Sequence, residues 1–473
     1  MKFFKQFPRT FWVANSVELF ERWAWYGLFN VLAIYLTSYL GFSQDQKGWL
    51  MGTVTAMVYF LPVFTGAISD KIGYKTSLLT AFALYFIGFY MMSKMQTYYS
   101  IFAAFAIVGI GAAIFKPIIS ATISKTTTAK NTILGFGIFY MMVNLGALIG
   151  PVISSKLRES SWNFVFYSSM FAIVINIILV LFLYKEPDRV INTDPLKKTI
   201  KKILHNIYLA VTDIKFLIFL LLIVGFWTMY NQLFFTLPVF VEQWVDTKLL
   251  YNIFHNLSPG LATFIGNQHG EINPEMLLNM DAFFIVLFQI IVSSVVTRMK
   301  PIRAMVIGFF IAAIGISLMF IMRNPIYTVL AIFIFAIGEM TGSPTITSYI
   351  GLIADKDKKA LYMGMSFLPV AGGNFLGGYL SGSVYQKFSD KTTLLKDYLI
   401  KNNITPPSNL KPNELLNFAS DKLNISQNQL TDILWNTYNP GKIWYIFFAI
   451  GMIAVVGLII YNYVINKIRN KNL

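Results

Sequence analysis

The sequence has no cysteine, few charged residues and only three histidines. Without cysteine the chain forms no disulfide and offers no thiolate as a metal ligand or nucleophile. The histidines are scattered over segments predicted to be loops, so we expect no histidine-based metal site. Charged residues make up 13% of the 473 positions and hydrophobic residues 56%. This composition excludes an ordinary soluble domain and indicates an all-α membrane protein with many membrane-spanning helices.

Apolar segments of the length that a bilayer requires recur along the whole chain. The first of them lacks the features of a cleavable signal, because it is too long and carries charges. We predict twelve spans, numbered in chain order, at approximately residues 11–40, 48–69, 77–94, 99–121, 133–155, 164–184, 216–241, 278–297, 305–322, 327–351, 362–386 and 443–464.

A charged segment between spans 6 and 7 divides the chain into two halves. We predict a six-helix bundle at residues 1–184, a linker at residues 185–215 and a second six-helix bundle at residues 216–473. The linker is either an amphipathic helix along the membrane face or a solvated tether. Two equal halves joined in this way are typical of transporters that rock around a central site.

The last bundle contains a long insertion at about residues 387–442 with two helix-like runs. We predict a small helical cap outside the membrane. This cap could gate entry, dock a partner or be an insertion without a function of its own.

Lysine and arginine indicate the orientation of the chain. About 23 of them lie in the segments that share the side of the termini, against about six in the short loops of the opposite side. Basic residues accumulate on the cytoplasmic side of membrane proteins. We therefore expect that the protein lies in the inner membrane and that both of its termini lie in the cytoplasm. The net charge of +16 therefore reflects topology, and we expect no nucleic-acid partner.

Span 1 carries charges in its interior. Glu18, Glu21 and Arg22 follow one another at helical spacing and share one face of the helix. Charges inside a membrane helix cost about 2.5–3.5 kcal/mol each and usually mark a transport pathway or proton relay. Lys116 lies deep in span 4, where a lysine needs a carboxylate partner or loses its proton, and Glu18 and Glu21 are the candidate partners. The alternative is that Lys116 reaches the cytoplasmic interface. Glu339 lies mid-way along span 10 and is either neutral, paired across the bundle or a site for a cationic ligand.

The stretch Glu18-x-x-Glu21-Arg22-Trp23-x-Trp25-Tyr26 resembles the ExxERFxYY motif of the proton-coupled oligopeptide transporters, a family of the major facilitator superfamily. Six further segments resemble signatures of that superfamily or family in the same order: residues 66–75, 109–117, 139–146, 226–232, 338–344 and 363–374. The resemblance covers nearly the whole chain apart from the two longest loops. It implies the major facilitator fold, with twelve transmembrane helices in two six-helix bundles.

The resemblance also implies roles for individual residues. A proton-coupling cluster would consist of Glu18, Glu21, Arg22 and Lys116. Glu339 would receive the amino group of the substrate. The substrate pocket would be lined by Tyr26, Tyr59, Asn144 and Trp227, and by two positions at which this sequence departs from the family, Phe29 and Asn231.

Those departures concern charge. Phe29 stands where the family has a second arginine on span 1, and Asn231 stands where it has an acid on span 7. Both halves of an expected ion pair are thus missing together, which avoids leaving a buried charge without a partner. Asp281 is an additional acid in span 8, and it either adds a preference for cations or lies at the membrane interface.

We therefore predict a proton-coupled symporter that imports di- or tripeptides or peptide-like solutes by alternating access. The alternatives are a proton-coupled transporter of another small organic ion, and a membrane sensor that transports nothing. We expect no cofactor besides the coupled proton, no enzymatic activity and no metal. The expected partners are a small solute and the lipid bilayer, with the chain acting as a monomer.

Overall fold

The computed structural model describes residues 6–128, 131–188, 195–319, 323–353, 359–407 and 410–471. Helices occupy all twelve predicted spans, so the all-α prediction is confirmed. In the first half the spans run Arg9–Ile34 with Tyr35–Tyr39, Gln44–Phe60 with Pro62–Ile72, Tyr74–Lys94, Tyr98–Lys125, Thr132–Ser160 and Trp162–Phe182. In the second half they run Ile214–Tyr230 with Gln232–Phe235 and Leu237–Trp244, Pro274–Val296, Pro301–Leu318, Pro325–Ile353, Lys359–Gly364 with Leu368–Tyr379, Leu380–Val384 and Tyr385–Phe388, and Ile443–Lys471.

Length and apolarity distinguish the spans from one another. Nine of the described helices are long and apolar enough to cross a membrane, and the two parts of span 2, bent by 48°, make a tenth. Span 1 does not meet this criterion because Glu18, Glu21 and Arg22 lie within it. Span 11 does not meet it either, and its helix is interrupted between Gly364 and Leu368.

The spans pack in two groups. Spans 1, 5 and 6 contact one another, and span 3 packs against spans 4 and 6. In the second half span 9 packs against spans 10 and 12, and span 7 against spans 11 and 12. The two groups meet where span 2 packs against span 11, where span 5 packs against span 8, and where span 1 contacts span 7. These contacts give the two-bundle architecture of the major facilitator fold.

One face of the molecule, opposite the chain termini, joins the two halves through polar contacts. We call it the distal face, and it is formed by the ends of spans 1, 5, 7 and 11 and the starts of spans 2 and 8. Lys47 of span 2 is fully buried there, and its Nζ donates to the carbonyl oxygens of Phe235 and Ser381, each at 2.9 Å. Arg158 of span 5 pairs with Glu275 of span 8, with Nε and Oε1 2.6 Å apart.

Glycines allow spans 2 and 11 to approach closely at the distal face. A Cβ atom on Gly48 would lie 2.3 Å from the carbonyl oxygen of Gly378. A Cβ on Gly378 would in turn lie 2.4 Å from the Cα of Gly52. Because these neighbours are backbone atoms, a side chain at either position would push the two helices apart. The distal face is therefore closed in this structure.

Shorter helices lie between the spans. The linker contains the helix Leu196–Thr212, which favours the amphipathic helix over a tether without structure. The segment between spans 7 and 8 forms the helices Lys248–Leu257 and Pro259–Ile265. The predicted cap region forms Lys391–Lys401, Pro412–Leu423 and Gln427–Tyr438, so both helix-like runs seen in the sequence are confirmed as helices.

Candidate functional site

The charged face of span 1 forms a buried cluster. Arg22 Nε lies 2.5 Å from Oε2 of Glu21 and 3.2 Å from Oε1 of Glu18. Glu21 is completely buried, and its other oxygen, Oε1, accepts a hydrogen bond from the hydroxyl of Tyr85 on span 3. The Arg22 guanidinium also lies over the ring of Tyr26, 5.8 Å from its centroid. One guanidinium thus compensates two carboxylates in a low-dielectric environment, where a proton and a cation compete for the same acids.

Lys116 differs from the prediction in its partner. Its Nζ lies over the ring of Tyr59, 3.7 Å from the centroid, and the described residues include no ion pair between Lys116 and Glu18 or Glu21. The reason is that Arg22, on the same helix as the acids, occupies both carboxylates. A lysine over an aromatic face keeps a favourable partner for its charge without forming a salt bridge.

A second acidic group lies in the other half of the molecule. The hydroxyl of Tyr230 on span 7 donates to Oε1 of Glu339 on span 10, at 2.9 Å. Asp281 of span 8 lies close to Glu339 and is only 5% exposed. Asp281 is thus buried within the protein, and its depth relative to the membrane interface stays a prediction. No ion pair among the described residues involves Glu339 or Asp281.

Three of the remaining predicted pocket residues, Asn144, Asn231 and Trp227, carry polar groups on their side chains. Asn144 and Asn231 each bind a backbone carbonyl of their own helix through Nδ2, at 2.8 and 2.7 Å. The indole Nε1 of Trp227 is buried and has no hydrogen-bond acceptor. The rings of Trp227 and Tyr230 are in edge contact, with centroids 4.8 Å apart. Trp227 therefore brings an unpaired donor close to the tyrosine that binds Glu339.

Phe29 replaces a charge by an aromatic contact between the halves. Its ring centroid lies 5.9 Å from that of Phe234 and 6.1 Å from that of Phe235, both on span 7. It also stacks on Trp25 at 5.5 Å. With 7% of its surface exposed, Phe29 acts mainly as a packing residue between spans 1 and 7.

Two tyrosines of the site were not found from the sequence. Tyr230 follows Trp227 by three residues and so shares its helix face, a spacing that could have indicated it. Tyr85 has no charged or motif residue near it in sequence, and only the packing of span 3 reveals its contact with Glu21.

Two helical bundles that meet around buried charged clusters define a secondary transporter rather than an enzyme. A family model for the Major Facilitator Superfamily matches residues 16–266, a little over half of the chain. The chain belongs to the Major Facilitator Superfamily.

Similar curated proteins indicate which family within the superfamily this chain resembles. Dipeptide and tripeptide permease B of Salmonella typhimurium is 25% identical over 432 residues, which cover 80% of this chain and 87% of the permease. Dipeptide and tripeptide permease A of Citrobacter koseri is 22% identical over 442 residues, covering 84% of this chain and 88% of that one. These relatives confirm the resemblance to the oligopeptide transporter family drawn from the motifs.

Solved structures of similar fold include a peptide transporter POT in complex with sulfate. It has a TM-score of 0.71 at 15% identity and covers 98% of this chain and 95% of its own. A POT family transporter in complex with a thioalcohol-conjugated peptide has a TM-score of 0.70 at 18% identity, covering 98% and 97% of the two chains. Both confirm the fold.

Proposed function

We propose that this chain is a proton-coupled symporter that imports di- or tripeptides, or solutes that resemble them, by alternating access. The buried Glu18–Glu21–Arg22 group is the observation that carries the proposal, because acids held near one cation can exchange an ion pair for a proton. The names of the permease relatives support peptides as the substrate class. The coupled proton is the only cofactor that this mechanism requires.

The coupling follows from competition for the carboxylates. When a proton neutralises Glu18 or Glu21, Arg22 loses one partner, and span 1 no longer holds the same contacts with spans 3 and 4. Binding that changes these contacts shifts the population between the closed and open states of each face. We propose that Lys116 and Tyr59 form part of the same response, since the lysine can take up a carboxylate that Arg22 releases.

The membrane location and assembly complete the proposal. We place the chain in the inner membrane with both termini in the cytoplasm, on the basis of its lysine and arginine distribution. The distal face is then the outer face, and the structure is closed toward the outside. Each monomer contains both halves of the site, so a monomer suffices for transport.

Uptake of labelled dialanine into proteoliposomes with an alkaline, negative interior tests this function. We expect uptake that free dipeptides and tripeptides compete for and that a protonophore stops. Competition by non-peptide organic ions alone would leave the fold and coupling in place but exclude peptides as substrates. Absence of both uptake and exchange for every solute would favour the sensor.

Glu21→Gln tests the coupling group. We expect it to reduce gradient-driven uptake to the background of empty liposomes, because glutamine keeps the hydrogen bond from Tyr85 but takes up no proton. Counterflow exchange, which needs no net proton movement, should persist. The matched control is Glu271→Gln, which removes an acid from the exposed pair with Lys248. A normal gradient response in Glu21→Gln would remove Glu21 from the coupling mechanism.

A second candidate, a proton-coupled transporter of small organic cations, is favoured by the charge of the site. No arginine stands at position 29 to bind a substrate carboxylate, while Asp281 adds a second acid beside Glu339. The same uptake assay separates this candidate from the first when amines without a carboxylate compete better than dialanine.

A further inference from the structure

The cap and the distal face enclose a polar cavity that the proposed transport mechanism does not use. Its volume is about 340 Å³. The cap lines it with the first turns of Lys391–Lys401 and the start of Pro412–Leu423. The first half of the molecule lines it with residues 37–44, where span 1 passes into span 2, and span 7 contributes Glu242. A ligand in this cavity would therefore contact the cap and both halves of the molecule at once.

Charges of both signs line the cavity without pairing with each other. Glu242 accepts a hydrogen bond from the hydroxyl of Ser38 at 2.5 Å, and in the described part of the chain it forms no ion pair. Lys396, on the cap helix, is half-buried and lines the same cavity. The ion pairs that the described residues of the cap form are Arg323 with Asp432 and Lys401 with Asp397, so Lys396 takes part in neither.

Asp390, the other acid of the cavity, already has its partners. It precedes the helix Lys391–Lys401, and its Oδ2 accepts hydrogen bonds from the backbone and the hydroxyl of Thr393. Its Oδ1 accepts from the amides of Gln44 at 3.1 Å and Gln243 at 2.9 Å. Asp390 therefore holds the walls of the cavity together, and Glu242 is the carboxylate with capacity for a ligand.

A small cavity with an unpaired carboxylate and an unpaired ammonium is complementary to a molecule that carries both charges. A short peptide has this form, with an ammonium at one end and a carboxylate at the other. The volume lies near the lower end of the range for small-molecule sites, roughly 300–1,000 Å³. The size therefore favours peptides of two or three residues over longer ones.

We propose that this cavity is an outer site that receives short zwitterionic peptides while the distal face is closed, with the amino group at Glu242 and the carboxylate at Lys396. The inference rests on the proposed function, from which it takes peptides as the substrate class. Glu242 also accepts the hydrogen bond from Ser38, which joins span 7 to span 1. Binding of a peptide and opening of the distal face thus involve the same carboxylate.

Binding to the protein with its distal face held shut tests the site. Because the chain has no cysteine, Asp45→Cys and Ser383→Cys can be introduced together and cross-linked across this face. In sealed vesicles that carry the distal face outward, saturation-transfer NMR should detect binding of dialanine added outside. N-acetyldialanine lacks the amino charge and dialanyl amide lacks the carboxylate, so each should bind at least about fivefold more weakly. Equal affinity for the three probes, or no binding of dialanine, would overturn the outer site.

Substitutions assign the two charges. In the cross-linked protein Glu242→Gln and Lys396→Gln should each weaken dialanine binding about fivefold. Lys396→Gln should also remove the difference between dialanine and dialanyl amide, which a general disturbance of the cap would not do. The matched control is Lys422→Gln, at an exposed position of the same cap, which should bind dialanine normally. Unchanged binding in both test variants would contradict the proposal, and if one of them fails to fold, the other decides.

Uptake separates this inference from the proposed function. If the parent protein takes up dialanine but none binds when the distal face is shut, the outer site fails while the proposed function stands. If dialanine binds to the closed face but is never taken up, peptide transport fails while the outer site stands. Where both hold, Lys396→Gln should raise the KM for uptake from outside and leave the half-saturating concentration for exit from inside unchanged.

Discussion

At the scale of single residues, Phe29 and Asn231 show how a membrane protein can lose an ion pair. A buried charge without a partner costs roughly 3–5 kcal/mol, so the loss of one member favours loss of the other. Phe29 now packs against Phe234 and Phe235, within one turn of Asn231 on span 7. An aromatic contact therefore holds spans 1 and 7 together where the resemblance implies a salt bridge.

Charged residues introduced at positions 29 and 231, singly and together, test whether the two positions are energetically coupled. We expect Phe29→Arg and Asn231→Glu each to lower the thermal stability of the detergent-solubilised protein, because each buries a charge without a partner. The double variant should be more stable than the sum of the two single effects predicts, by a coupling of roughly 1–3 kcal/mol. Additive effects of the two substitutions would show that positions 29 and 231 do not meet.

The double variant also has a functional outcome. With an arginine at position 29, a substrate carboxylate gains a cation, so competition by dialanine should improve relative to dialanyl amide. Phe29→Leu, which keeps an apolar side chain, serves as the control.

At the scale of helices, the sequence was sufficient to locate all twelve spans, but not their interruptions. The helix of span 7 is broken around Asn231, whose side chain binds its own backbone at Trp227. Span 11 is interrupted after Gly364. Asparagine and glycine also occur in many unbroken membrane helices. The position of an interruption therefore depends on contacts with neighbouring spans, which the sequence does not show.

Lys391, the first residue of the cap helix Lys391–Lys401, leads to a prediction of how the stability of the cap depends on pH. Burial, with repulsion from Arg323 as a smaller cause, lowers the pKa of Lys391 to about 8 from its ordinary value of 10.5. The folded cap therefore binds fewer protons than the unfolded cap between these values, and its stability should rise with pH from about 8 to 10.5. Below pH 8 the cost of the charged amine is fully present.

Thermal unfolding followed by tryptophan fluorescence measures this effect, because Trp435 lies in the cap and Lys391 lies over the ring of Trp244. The Lys391→Gln variant should not become more stable as the pH rises over this range. Lys422→Gln, at an exposed position of the same cap, should keep it. Equal pH profiles for the two variants would contradict the role given to Lys391.

At the scale of the whole molecule, the two halves are tied at the distal face by contacts between residues far apart in sequence. Asp45 accepts a hydrogen bond from Ser383, and its backbone N–H donates to Gln386 at 2.9 Å. Ser38 donates to Glu242 at 2.5 Å. Alternating access requires that these contacts separate in every transport cycle.

The lack of cysteine makes this requirement easy to test. We expect the double variant Asp45→Cys with Ser383→Cys to be joined by a short thiol-reactive cross-linker and to stop uptake, with recovery on reduction of a reducible linker. Each single variant treated in the same way should retain uptake. Undiminished uptake in the cross-linked double variant would show that the distal face does not open between these residues.

The same scale explains what the sequence could and could not predict. Glu18, Glu21 and Arg22 lie within five residues, so helical spacing alone brings them together. Asp281 and Glu339 are on different spans, and their contact depends on how spans 8 and 10 pack. For Lys116, which is only partly buried, the sequence did not predict the partner, because several acids and aromatic rings were within possible reach.

The bend in span 2 has a mechanical consequence. At about 1.5 Å per residue, the eleven residues of Pro62–Ile72 form a helical segment roughly 16 Å long. The preceding segment of span 2, Gln44–Phe60, packs against span 11. Straightening the 48° bend would sweep the far end of Pro62–Ile72 through about 13 Å. A change of angle at Leu61 alone would therefore move the far end of span 2 while Gln44–Phe60 keeps its contacts with span 11.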